Sequence, residues 1–237
     1  MMKTLLCVFF VAIVNLQFTH AAFTISPIRV ELTPQQKVMS LQVYNSSQEE
    51  ISIQVDLFEW KQQKEKESQD QISRDVLVTP PIFKLAPQQT QILRVGLRRP
   101  FDATKELSYR LFLKEIAKPL PENFQGFRMI QQVSLPIFIQ PQQAAKPELK
   151  WQLTLEDENQ LKLSVENIGL AHIQMTELSL KFKDGEILEK AGNFYVLPEG
   201  ALSWKIPRNK KSVVDEFVEL SIKSAKGTFK QQIIIEN

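Results

Sequence analysis

The chain has 237 residues, 43% of them hydrophobic, and a formal net charge of +2 from 29 basic and 27 acidic side chains. So even a balance argues against nucleic acid or an anionic membrane surface as partner, since both call for a basic field. Two histidines and one cysteine leave too few side chains for a zinc cluster or a histidine-based triad.

Residues 1–22 read as a secretory signal peptide. Lys3 is a positive start, Leu5 to Val14 is an apolar run of about ten residues, and Ala21 or Ala22 offers a small residue to cleave after. That run is too short to span a bilayer, which takes about 20 residues, and no later stretch is apolar enough, so no membrane insertion is expected. Cys7 lies too near the start to be a lipidated cleavage site, and its removal leaves no cysteine. The exported chain must then fold without disulfides, and the roughly 215 residues left suffice for one or two domains.

The two-residue period of strands recurs along the rest, and helical periodicity is almost absent. Phe23 and Ile25 share one parity, Ile28, Val30 and Leu32 the other, so the strand changes phase at Ser26-Pro27 and is expected to cross there between two sheets. Met39-Leu41-Val43 and, after the Asn45-Ser46-Ser47 turn, Ile51-Ile53-Val55-Leu57 form the next faces. The polar stretch Lys61–Arg74 reads as a solvated connection. Leu93-Val95-Leu97 and Leu107-Tyr109-Leu111-Leu113 follow. Phe127–Ile139 is apolar at every odd position except Gln131 and is expected to be one strand of thirteen residues, about 40 Å long. Ordinary strands have about 5–6 residues, so this one has surface to spare for something outside its own core. Pro141–Pro147 carries two prolines and no period, and reads as a linker over 141–147. Alternation resumes at Trp151-Leu153-Leu155, Leu161-Leu163-Val165 and Leu178-Leu180-Phe182, and ends at Ile233–Ile235. The expectation is an all-β chain with domains over 23–140 and 148–237, each an antiparallel sandwich or barrel.

Little in this pattern suggests catalysis. His172, the sole histidine beyond the signal, falls in a turn-like Asn167–His172 stretch and reads as a structural hydrogen-bonding residue. Glu156-Asp157-Glu158 lacks the ligand spacing of a calcium loop, and the seven glycines form no phosphate cradle. The chain is therefore expected to be no enzyme and to need no cofactor. Arg29 stands on the polar side of the opening strand; periodicity alone makes it an outward-facing arginine, although its planar fork also suits a carboxylate.

Three blocks resemble the PapD-like periplasmic chaperones of the chaperone–usher pathway. Pro27-Ile28-Arg29, followed ten residues on by Met39–Asn45, looks like the first two strands of that family. Thr79-Pro80-Pro81-Ile82-Phe83, with Leu85, Pro87 and Gln91-Ile92-Leu93-Arg94-Val95, resembles its next characteristic segment. Tyr109–Ile116, with its Lys114-Glu115-Ile116 ending, is similar to the strand before the long one. In the second half, Asn167-Ile168-Gly169, His172, Val196-Leu197-Pro198 and Trp204–Pro207 look like the archaic branch.

The resemblance implies two immunoglobulin-like β-sandwich domains set at an angle, with a cleft between them. It implies a periplasmic location, pilin subunits and an outer-membrane usher as partners, and a long strand donated to the open core of a pilin. By position, Arg29 would hold the pilin's terminal carboxylate. Phe127–Leu135 would be the donor strand, with Phe127, Met129, Val133 and Leu135 filling pockets and Gln131 loosening the fit. Four such side chains would contribute roughly 6–12 kcal/mol before ordering costs. The better-known members place a lysine in the cleft where this chain has Pro136, so Arg110 and Arg128 are the candidates for a second cation, or Arg29 acts alone. The connection Ala117–Gln125 is short and holds no cysteine. An exposed apolar edge would also favour self-association of the free chain. The rival readings are a secreted two-domain adhesive or structural module and, more remotely, a β-sandwich hydrolase.

Overall fold

In a computed structural model, the structure describes residues 22–63, 66–68, 72–119 and 125–237. The expected signal peptide lies outside the described residues except for Ala22, as do parts of the Lys61–Arg74 and Ala117–Gln125 connections.

The first half forms β1 (Phe23–Ser26), β2 (Val30–Leu32), β3 (Val38–Asn45), β4 (Ile51–Glu59), β5 (Lys61–Gln63), β6 (Lys66–Ser68), β7 (Val76–Thr79), β8 (Ile82–Leu85), β9 (Thr90–Leu97), β10 (Leu107–Glu115) and β11 (Gln132–Ile139). One sheet runs β1-β3-β9-β7 and the other β2-β11-β10-β4-β8, while β5 and β6 make a separate hairpin. The phase change at Ser26-Pro27 is the crossing between them: β1 pairs with β3 in one sheet, and β2 pairs in parallel with the end of β11 in the other. Ile28 lies in that crossing, not on the inward face of β2, and is exposed, because a chain passing between layers has no sheet face to offer. Val30, Leu32, Leu41, Val43, Ile53, Leu93, Val95, Leu111 and Leu113 fill the space between the layers and are buried.

The second half forms β12 (Leu149–Asp157), β13 (Gln160–Asn167), β14 (Ile173–Lys181), β15 (Ile187–Val196), β16 (Ala201–Pro207), β17 (Phe217–Ser224) and β18 (Gly227–Glu236). The order is β15-β14-β17-β18-β12-β13-β16, and the short parallel link of β12 to β18 folds this run into two facing layers. Leu153, Leu161, Leu163 and Val165 from one layer meet Met175, Leu180, Val218 and Leu220 from the other. At one end Arg208 is buried against the ring of Phe182 at 3.9 Å and pairs with Asp184, Glu186 and Glu216 at 2.9–3.1 Å. Burial works against its charge, but the hydrogen bonds to Glu186 and Glu216 prevail and raise its pKa.

The halves meet through a hydrophobic cluster of Trp60, Phe138, Tyr195 and Leu197. His172 stacks on Phe138 with centroids 3.5 Å apart, and its Nδ1 lies 2.6 Å from Oε1 of the buried Glu106. His172 is thus the structural histidine its turn context suggests. Gln62 departs from the solvated reading of its segment: it is buried, donates to the Tyr195 carbonyl at 2.7 Å and accepts from the Leu197 N–H at 2.9 Å. Each of these polar groups has a partner across the interface, which holds the halves at one mutual orientation.

Candidate functional site

The long apolar segment is shorter as a strand than its alternation suggests. β11 begins at Gln132, and Phe127, Met129 and Ile130 ahead of it are exposed. The physical reason is the loss of a neighbour. β10 ends at Glu115, whose N–H still reaches the Gln131 carbonyl at 3.0 Å; the N–H of Ile116 points to the other side, to Ser52 of β4, and β10 does not continue beside residues 127–130. Residues 127–130 therefore have an apolar face and, among the described residues, no adjacent strand.

Beyond Gln131 the register fixes what β11 offers. It pairs antiparallel with β10 from Lys114↔Gln132 to Leu107↔Ile139. Because Glu115 and Gln131 are hydrogen-bonded, alternation assigns the bonds to β10 to residues 133, 135, 137 and 139. The backbone groups of Gln132, Ser134 and Pro136 then face the other way. There β2 pairs only with Ile137–Ile139, so among the described residues that edge is open from Gln132 to Pro136. Pro136 loses no bond to β10, since its missing N–H belongs to the open side. It ends the donors of that edge where β2 begins.

The closed end of the edge opens into a cleft of 760 Å3 lined by Arg29, Glu31, Met39, Arg110, Pro136, Gln174 and Tyr195, among others. Arg29 is partly exposed; its Nε pairs with Glu31 at 2.9 Å and its Nη1 donates to Oε1 of Gln174 at 3.1 Å, reaching the second sandwich. Arg110, the register partner of Pro136, lies with its guanidinium 3.6 Å from the centroid of Trp60. The two arginines thus line one cleft, from opposite sides of Pro136. Arg128 does not join them: it donates to the Lys118 carbonyl and lines none of the cleft.

The odd positions divide. Phe127 and Met129 are exposed and have no place in the core. Val133 is partly buried against it, and Leu135, 2% exposed and opposite Leu111, belongs to the domain's own core. Leu135 therefore does not present itself to another molecule, contrary to the expectation from parity, because inside the sandwich that parity points into the domain's own core. Gln131 also departs from its expected role, with its amide turned to the backbone of Phe23. Trp60, Gln62, Phe138 and Tyr195, which join the two halves beside the cleft, carry no local signal beyond being large or polar residues in or beside strands.

The model for the pili and flagellar-assembly chaperone, PapD N-terminal domain, matches residues 22–145, more than half of the chain. The chain belongs to this family. Its fold is shared with the chaperone in the CsuC–CsuE chaperone–tip adhesion subunit pre-assembly complex from archaic chaperone–usher Csu pili of Acinetobacter baumannii, at 22% identity and a TM-score of 0.65, over 91% of this chain and 99% of that one. A structure of the Salmonella enterica SafA pilin in complex with the SafB chaperone matches at 17% identity and a TM-score of 0.59, over 90% and 95%. The Pseudomonas aeruginosa CupB2 chaperone matches at 16% identity and 0.55, over 90% and 100%. None of the curated proteins matches the sequence. The pair of immunoglobulin-like sandwiches is thus the pilus-chaperone architecture.

Proposed function

We propose that the chain is a periplasmic chaperone that caps pilin subunits by donating a strand to their open cores and passes them to an outer-membrane usher. One observation carries this reading: the open edge of β11 continues into an exposed apolar arm at one end and stops at a two-arginine cleft at the other. An added strand whose last residue lies over the cleft would run parallel to β11, in line with β2. It would bond to Gln132 and Ser134 and end at Pro136, with its carboxylate between Arg29 and Arg110. Fixing that end fixes register, and a slip of one residue would reverse every side chain of the pair.

In this reading Phe127 and Met129 enter the partner's core, and Val133 closes the rim. The domains extend over 23–140 and 148–237, joined by 141–147. The signal peptide is removed as the chain is exported, by a cut after Ala21 or Ala22; a retained Ala22 keeps the bond from the Ser46 N–H to its carbonyl, 3.2 Å. The same arm is the surface through which the free chain would self-associate. The test is periplasmic co-expression with a pilin encoded beside this chain. A 1:1 complex that protects the pilin from proteolysis is expected. Failure to protect any neighbouring pilin, with the chain itself displayed on intact cells, would overturn the proposal in favour of an adhesive module.

A further inference from the structure

We propose that Gln131 is the positioning residue at the root of the exposed arm, its side-chain amide joining the N-terminal strand to the point where the arm leaves the sheet. The inference rests on the reading of that arm as a donor segment. By parity Gln131 stands among Phe127, Met129, Val133 and Leu135, where a polar side chain could simply remain in water. Instead both ends of its amide are committed to one residue: Oε1 accepts the Phe23 N–H at 3.0 Å, and Nε2 donates to the Phe23 carbonyl at 2.9 Å.

Those are the two bonds a neighbouring strand would make. β1 is the outermost strand of its sheet, and Phe23 lies opposite Asn45 of β3. Asn45 directs its own N–H and carbonyl to Gln89 and Gln88, so the 23–45 pair exchanges no bonds and the backbone groups of Phe23 face outward. Phe23 is also among the most buried residues of the domain. Without Gln131 its backbone N–H and carbonyl would lose their partners at a site with little access to water.

The backbone of Gln131 is held as firmly. Its carbonyl accepts from the Glu115 N–H at 3.0 Å, and its N–H donates to Glu115 Oε2 at 3.3 Å. One residue thus fastens the edge of the first sheet, the end of β10 and the start of β11. Everything ahead of it in the arm is unpaired in the sheets; everything after it is in register. The joint therefore sets which parity the arm presents when a partner strand arrives. It needs a donor and an acceptor side by side: glutamate would place a second acceptor against the Phe23 carbonyl, and leucine offers neither group.

The test compares Gln131→Leu, Gln131→Glu and, as a control on the open face, Gln132→Leu in the mature chain. Hydrogen exchange at the amides of Phe23–Ile25 is measured on the free protein, and the lifetime of the pilin complex is measured for each variant. Both Gln131 variants are expected to speed exchange at least tenfold and to shorten the complex lifetime several-fold, with Gln132→Leu unchanged in exchange. The two readings of residue 131 predict opposite signs for leucine: a pocket-facing position would gain from it and give a longer-lived complex. Unaltered exchange, or a longer lifetime for Gln131→Leu, overturns the proposal. Should the wild-type chain capture no pilin, the donor-segment reading and the positioning role fall together, while the exchange measurement alone still decides whether Gln131 joins β1 to β11.

Discussion

Truncating the odd positions from 127 to 135 one at a time should separate binding from stability along a single segment. Phe127→Ala removes a ring that touches none of the core, so thermal unfolding should move by no more than about the ±0.5 kcal/mol typical of surface changes. If that ring enters a partner's core, its loss costs about 1.5–3 kcal/mol of association, or roughly a ten- to hundredfold weaker complex. Met129→Ala should behave the same way. Leu135→Ala should do the reverse: it opens a cavity opposite Leu111 and should lower stability by about 2–5 kcal/mol. Urea unfolding of the free chain gives the stability change, and competition for a pilin against the wild-type chain gives the affinity change. The exposed pair contributes about 3–6 kcal/mol before ordering costs, half of what four pocket-filling side chains would give. Unchanged capture by Phe127→Ala, or an undiminished stability in Leu135→Ala, would refute the division of the segment at Gln131.

Arg29→Ala should abolish pilin capture while leaving the fold intact, because its bonds to Glu31 and Gln174 are partly exposed and add little stability; capture at wild-type level would remove Arg29 from the site. His172→Ala leaves the buried Glu106 without its ring partner and should cost about 1.5–3 kcal/mol in thermal unfolding. Small-angle scattering should then show a wider spread of domain orientations, and an unchanged profile would contradict the role of that contact. Arg208→Met keeps the bulk but strands Glu186 and Glu216 and should destabilise the second sandwich by about 3–5 kcal/mol, measured as a lowered urea midpoint. Asp184 has its carboxyl held below the usual 3.8, first by the Glu186 N–H and then by Lys210. A folded-state value below the unfolded one means the linked stability is present at neutral pH and is lost as pH falls below about 4. Asp184→Asn should flatten that acid limb of the stability profile.

Much of the fold is legible because strand faces are written in a period of two. Leu41-Val43, Ile51–Leu57 and Leu107–Leu113 alternate cleanly, and the register confirms each face. The crossing at Ser26-Pro27 is legible for the same reason: a parity change cannot occur within one strand without reversing its faces. Ile28, Leu135 and Gln131 were misplaced because parity names a face without naming what lies against it. Leu135 and Phe127 share one parity, yet the first is buried in the core of the sandwich and the second is exposed, with nothing among the described residues to cover it.

The class of the fold, the lack of cysteine after Cys7 and the arm that has more apolar surface than its own domain can use are all legible in the sequence alone. Each of these is a local property of composition or alternation. Only the tertiary structure decided where the strand stops, which arginine joins Arg29, and that the amide of Gln131 serves Phe23. All three depend on partners far away in sequence: β10 ending at Glu115, Arg110 lying opposite Pro136, and a strand at Phe23 that lies 108 residues before its amide partner. A ladder is satisfied pairwise, so what an edge offers depends on the strands that are absent from it as well as on its own residues.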